Sequence, residues 1–310
     1  VGRDESAGAA NRISIKKSST AAGRALADSY NKTHPIVGAL RRFLVSSIAQ
    51  QDAGRVHDKL HPSDMSKKYW CPRRSWYLIN GERGETVDVS HYLAAILEEG
   101  TEIHGKYQRW FRQMGILEGD WYCAECEYKW WALAPEECAN CRSTNFVYAE
   151  VTIDIPDLFA DGHADGILHS EGKRTGLEIK SIGLRSVEME QPALYRRYKS
   201  GELGLMEMWR SIRMPFGSHL KQGQIYLHGW QQHEETADID TMTFLYEFKA
   251  NQDVRAWTVK YNSDVIKPLV PGAQAVKRAI ETGGRVKHPV WADATHPECK
   301  ACPFLAPCEP

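Results

Sequence analysis

The apolar positions of this chain change their period twice, and the changes divide it. Over residues 1–35 they are small and scattered among Ser, Lys and Gly, which predicts a flexible arm with at most a short helix over Thr20 to Tyr30. The spacing then becomes helical. Ser63 is placed to cap a helix carrying Tyr69, Trp70, Trp76 and Tyr77. Ser90 is placed to cap a longer one in which Leu93, Leu97, Gly100, His104, Tyr107, Phe111 and Met114 recur on one face. That face turns His104 inward. After an interruption over 119–147 the period shortens to two, and VYAEVTIDI, DGHADGILHS and GLEIKSIG predict three consecutive strands. Helices follow near 186–199 and 215–233, then a strand pair, TMTFLYEFKA and RAWTVKYN, and a last helix over 263–282. A mixed central sheet flanked by helices, an α/β fold, is the packing these elements allow.

Three charges interrupt the second and third strands. In GHADGILHSEGKRTGLEIKS the stretch SEGKRT reads as a turn, so the flanking strands form a hairpin whose register brings Asp165 close to Glu178 and Lys180. Glu178 and Lys180, two residues apart, share one side of the sheet. Carboxylates and an ammonium among Ile167, Leu168, Leu177 and Ile179 are costly unless something compensates them, and a hard divalent cation held by carboxylate oxygens does so. The plainer alternative is a solvated ion pair at an exposed strand end. Asp154, Asp157, Asp161, His163 and Glu171 are nearby acids and bases, but the hairpin register favours Asp165.

Composition adds limits. A chain of 310 residues, 42% hydrophobic and 25% charged, can bury a sizeable core. No run approaches the length of a membrane helix and no signal-peptide core opens the chain, so the cytoplasm is the expected compartment and no membrane partner is expected. The net charge of -1 leaves any polyanion contact to a local basic face. Arg185 to Lys221 offers one, with seven Lys or Arg against four Glu.

The eight cysteines are more specific. Cys123, Cys126, Cys138 and Cys141 form two CxxC knuckles eleven residues apart, the pattern of a structural zinc ribbon. Trp121, Trp130 and Trp131 either cover these knuckles as a miniature core, the favoured reading, or stack on nucleobases. At the C-terminus Cys299, Cys302 and Cys308 form C-x2-C-x5-C, and the one cysteine left for them is Cys71. Joining 71 to 299 closes a loop of 228 residues, worth roughly 5 kcal/mol in unfolded-chain entropy. Such a quartet holds zinc or an iron–sulfur cluster.

Taken in order, these elements resemble the PD-(D/E)xK nuclease superfamily, and within it the RecB-like exonucleases with a cysteine-bound iron–sulfur cluster. Those include the CRISPR-associated RecB-like exonuclease and the AddB-type helicase–nuclease subunits. The matching elements are Cys71–Pro72, the helical His104 in GTEIHGKY, G-x-x-D ending at Asp165, and E-x-K at Glu178 and Lys180. They continue with Q-x-x-x-Y at Gln222 and Tyr226, and close with the C-terminal cysteines. The resemblance spans residues 60–308. It implies a restriction-endonuclease-like fold over 36–310, with the ribbon as an insertion over 119–147. It implies Mg2+ or Mn2+ held by His104, Asp165, Glu178 and the Ile179 carbonyl, with Lys180 orienting or deprotonating the attacking water and Gln222 and Tyr226 positioning. It further implies a [4Fe-4S] cluster on Cys71, Cys299, Cys302 and Cys308. The expected activity is hydrolysis of single-stranded or end-exposed DNA, with a recombination or CRISPR-adaptation protein as a partner. A catalytically idle nucleic-acid-binding or scaffold module built on the ribbon is the alternative. An iron–sulfur redox protein is weakened by the lack of any flavin or nicotinamide glycine motif.

Overall fold

The computed structural model describes residues 35–53, 57–82, 84 and 90–308. The arm expected over 1–35, with its short helix, lies outside them but for its last residue. Helix α1 (Pro35–Ala53) packs along α4 (His91–Gln113), and two short helices, α2 (Pro62–Met65) and α3 (Pro72–Ile79), lie between them in sequence. The single helix expected after Ser63 is therefore two. Pro62 and Pro72 each open one, because proline suits a first helical turn and its ring disfavours helix in the residue before it. Tyr69 and Trp70 fall in the break, and Ser63 sits inside α2 rather than at its cap. Ser90 does cap α4, its hydroxyl accepting from the Leu93 amide at 3.2 Å.

The inward face of α4 differs from the expected one. Leu93, Leu97 and Met114 are exposed, whereas Ala94, Ile103 and Tyr107 are buried. Ala94 is buried in the first turn, and beyond it Ile103 and Tyr107 are the buried positions, packed in the core that also holds Leu177 and Ile179 of β7.

The main sheet runs β2 (Lys129–Leu133), β1 (Leu117–Cys123), β6 (Gly166–Ser170), β7 (Lys173–Ile182), β8 (Thr241–Phe248), β9 (Asp253–Lys260), with β3 (Phe146–Tyr148) also paired to β1. Only β7 and β8 run parallel among the described pairings, so the sheet is mixed, as expected. Helices α5 (Leu184–Glu190), α6 (Pro192–Lys199), α7 (Leu205–Ser211) and α8 (Gly217–Trp230) fill the β7–β8 crossover. Then α9 (Val270–Thr282), α10 (Pro297–Lys300) and α11 (Leu305–Cys308) end the described chain.

Two of the expected strands are each broken in two. VYAEVTIDI divides into β3 and β4 (Val151–Ile155) at Glu150, whose φ of 62° is left-handed. DGHADGILHS divides into β5 (Ala160–Ala164) and β6 at Asp165, where the chain leaves the separate β4–β5 hairpin and enters the main sheet.

Alternation along the central strands separates two cores. Leu177, Ile179 and Leu245 face Ile103 and Tyr107 of α4, while Met242, Phe244, Tyr246 and Phe248 pack with Tyr226 and Trp230 of α8. Helix α8 is wedged between β8 and the β4–β5 hairpin, and its glycines make room. A Cβ on Gly229 would lie 2.5 Å from Ile153 Cγ2 and 2.8 Å from Ile155 Cγ1. Gly229→Ala should therefore lower stability by about 1–3 kcal/mol although alanine is the better helix former. Urea unfolding measures this, and a stabilised variant would contradict the wedge.

Candidate metal and catalytic site

The turn between β6 and β7 is two residues, Glu171 and Gly172, at φ 51° and 74°, the left-handed pair that a tight hairpin of this length requires. It fixes the register Gly166↔Leu177. Asp165 directly precedes the paired stretch, beside the β7 residues that follow Leu177, where its charge acts on Glu178. Asp165 is buried, one carboxylate oxygen accepting from the Ile179 amide at 2.5 Å and the other 2.8 Å from His104 Nδ1. The Gln108 amide donates to its carbonyl at 3.2 Å. Next along β7, Lys180 Nζ lies 2.6 Å from Glu178 Oε1 and 3.3 Å from Gln222 Oε1. The Gln222 amide in turn donates to Tyr226 Oη at 2.9 Å. The G-x-x-D glycine has a steric reason, because a Cβ on Gly162 would meet Pro62 at 2.9 Å and the Tyr226 ring at 3.0 Å.

Electrostatics follow from this packing. Burial pushes the Glu178 carboxyl up to about 7, against the pull of Lys180. Lys180 stays above its ordinary value: burial works against its charge, but Glu178 and Asp165 outweigh it. Burial likewise opposes the His104 imidazolium, and the Asp165 hydrogen bond and charge prevail, raising it. The Tyr226 hydroxyl is held neutral, first by burial and then by the charge of Glu178. The structure thus places His104, Asp165, Glu178, Ile179, Lys180, Gln222 and Tyr226 in one connected cluster. The other acids go elsewhere: Asp154 pairs with Lys59, Asp157 with His228, and Asp161 faces His61 at 3.6 Å.

One acid absent from the sequence reading joins the cluster. Donor atoms of His104, Glu150 and Asp165 all lie within 4.8 Å of one another. Burial and the Asp165 charge raise the Glu150 carboxyl. Only the β4–β5 register, Val151↔Ala164, brings it there, and the unbroken strand expected over VYAEVTIDI concealed it.

The two cysteine quartets differ in spacing. Cys123 and Cys141 sulfurs are 3.6 Å apart, Cys126 and Cys138 sulfurs 3.7 Å, and all four lie within 4.8 Å of one another. A tetrahedral zinc with bonds of about 2.3 Å requires sulfurs about 3.8 Å apart, so this quartet fits one ion. Its knuckles are built alike. Glu127 and Arg142, each directly after the second cysteine, are left-handed, and each donates its amide to the carbonyl of the first, at 2.9 and 3.0 Å. The Asn140 backbone and side-chain amides reach Cys138 and Cys126 sulfurs at 3.4 Å, as thiolates would accept. Trp121 is buried against Phe146 and Tyr148 and Trp130 packs on Phe146, so both cover the knuckles, whereas Trp131 is exposed.

Cys71, Cys299, Cys302 and Cys308 line one cavity of about 50 Å³ with Tyr69, Trp70 and Trp291. Their sulfurs are not all gathered within 4.8 Å of one another as those of the first quartet are. The turn carrying Cys308 is pinned to α3: Arg73 donates to the Cys308 carbonyl at 3.2 Å, Tyr77 Oη to the Pro307 carbonyl at 2.8 Å, and Phe304 stacks on Tyr77. Among the described residues no helix is long and apolar enough to cross a membrane.

No family model matches this chain, and no curated protein matches it. Among solved structures it is similar to SSO0001, with a TM-score of 0.38 and 16% identity over 85% of this chain and 93% of that one. It is also similar to the alkaline exonuclease LHK-Exo from Laribacter hongkongensis, with a TM-score of 0.39 and 12% identity over 76% of this chain and 93% of that one. The complex of LHK-Exo with dAMP gives a TM-score of 0.39 and 13% identity over 74% and 91%. Each similarity is distant, and the chemistry of this chain is carried by its own side chains.

Proposed function

We propose that this chain is a metal-dependent deoxyribonuclease of the PD-(D/E)xK kind, an exonuclease acting on single-stranded or end-exposed DNA in recombination, phage DNA metabolism or CRISPR adaptation. The observation that carries the reading is the convergence of Asp165, Glu178 and Lys180, with His104 against the aspartate and Gln222 against the lysine. Asp165, Glu178, the Ile179 carbonyl and His104 would hold Mg2+ or Mn2+, the imidazole making manganese a good match. Such a cation, when bound, polarises the phosphoryl oxygen and makes hydroxide available near neutral pH.

The chain's own groups divide the remaining work. Lys180, kept as an ammonium by the two carboxylates, orients the attacking water and offsets charge developing on the phosphoryl group. This favours an electrostatic role over that of a general base. Gln222 accepts from Lys180, and its amide is fixed by Tyr226, so the pair sets where the ammonium points. A structural zinc on Cys123, Cys126, Cys138 and Cys141 and a [4Fe-4S] cluster on Cys71, Cys299, Cys302 and Cys308 complete the cofactors in this reading. An idle scaffold would have no need of a buried Asp165, Glu178 and Lys180 aligned in this way.

Purified without air, the protein should degrade labelled single-stranded DNA with Mn2+ or Mg2+. Lys180→Ala, with iron and zinc contents unchanged, should lose roughly 10²–10³-fold in rate. Equal rates would contradict the assignment. The apparent affinity for Mn2+ should also rise with pH through about 7, because Glu178 must shed its proton before its oxygen can bind a cation. An affinity for Mn2+ that is flat from pH 5.5 to 8 would remove Glu178 from the ligands.

A further inference from the structure

We propose that Glu150 is a further ligand of the catalytic cation, brought to it by the four-cysteine ribbon; this rests on the nuclease reading above. Asp165 sits where two antiparallel pairings meet. One step beyond Gly166↔Leu177 lies Glu178, and one step beyond Val151↔Ala164 lies Glu150. Asp165 is thus flanked by a carboxylate on each side. Like charges facing each other across strands repel, and no Lys or Arg among the described residues forms an ion pair with Glu150. What it has is the nearby imidazoles of His104 and His163 and the Gln108 amide, which also serves the Asp165 carbonyl. A cation between Glu150, His104 and Asp165 would remove the repulsion with donors already within 4.8 Å of one another.

The backbone supports the same assignment. Glu150 holds a left-handed φ of 62°, a conformation glycine would adopt with less strain. The surrounding chain imposes it. Asp120 N donates to the Glu150 carbonyl at 2.9 Å and Ala149 N to the Asp120 carbonyl at 2.8 Å. Two residues earlier, Tyr148 pairs with Trp121 on β1, the strand that ends in Cys123. From Cys141 the chain has nine residues to reach Glu150, and the last five are bonded to β1, Phe146 to Tyr148 by strand pairing and Ala149 and Glu150 through Asp120. Closing the thiolate quartet therefore also fixes where the Glu150 carboxylate points.

Glu150→Gln keeps the shape and the acceptor for Gln108 and removes the charge. Calorimetric titration of the holoprotein with MnCl2, without DNA, should show at least tenfold weaker binding in E150Q than in the natural chain. The thermal midpoint without Mn2+ should be unchanged or higher in the variant, since a repulsion is relieved. Should glutamine lower that midpoint, Glu150→Asn, which suits left-handed backbone, carries the same comparison. Manganese affinity and stoichiometry equal to the natural protein's in a folded variant would overturn the proposal. Cleavage of single-stranded DNA by the natural protein is assayed in parallel. A protein that binds Mn2+ through Glu150 and cleaves nothing loses the nuclease reading and keeps the ligand. One that cleaves while E150Q retains full affinity loses the ligand and keeps the nuclease.

Discussion

Carboxylates repel one another, and this fold brings three of them, Glu150, Asp165 and Glu178, to the junction of two strand pairings, one ending at Ala164 and the other beginning at Gly166, with Asp165 between them. Much of the surrounding architecture serves to hold that arrangement. The two-residue turn at Glu171 and Gly172 sets one register, and the β4–β5 hairpin, leaned on by α8 through its glycines, sets the other. Helix α4 supplies His104 from one face of the sheet, and α8 supplies Gln222 and Tyr226 from the other. The neutralising contacts come from more than one element, the Ile179 amide and the Lys180 ammonium from β7 and the His104 imidazole from α4. The site is therefore a meeting point of the whole fold and not a property of one loop.

The cysteines act on the same problem from a distance. The ribbon is continuous with the main sheet, since β1 pairs with β6 at Leu117 and Glu118 and with β3 nearer its cysteine end. A metal there would stiffen the strand that leads into Glu150. The other quartet lies where α3 and the C-terminal turns meet around one cavity. A metal or cluster bound there would tie those distant segments together in a fold whose clustered polar side chains come from positions as far apart as 104 and 226.

Parts of this were legible in the sequence for definite reasons. The hairpin from Asp165 to Lys180 follows from alternation on either side of a polar turn, and the Ser90 cap and the two CxxC knuckles are local patterns with local causes. The single helix expected after Ser63 is two because the first stops at Met65 and Pro72 opens the second, within what reads as a continuous aromatic pattern. The buried face of α4 is Ala94, Ile103 and Tyr107 and leaves Leu93, Leu97 and Met114 exposed, because burial depends on which neighbours cover each turn, which periodicity does not reveal. Glu150 was illegible because a single left-handed residue splits what reads as one strand, and its approach to Asp165 depends on a register set elsewhere. Alternation shows which face a residue takes, but not which distant strand it will meet.

The central claim is that these acids gather around one bound cation, and its most direct test is anomalous diffraction at the manganese edge from crystals grown with MnCl2. The account predicts a peak between Asp165 and Glu178, within bonding distance of His104 and the Ile179 carbonyl. A crystal with that cluster intact, grown at millimolar Mn2+ and showing no peak there, would contradict it.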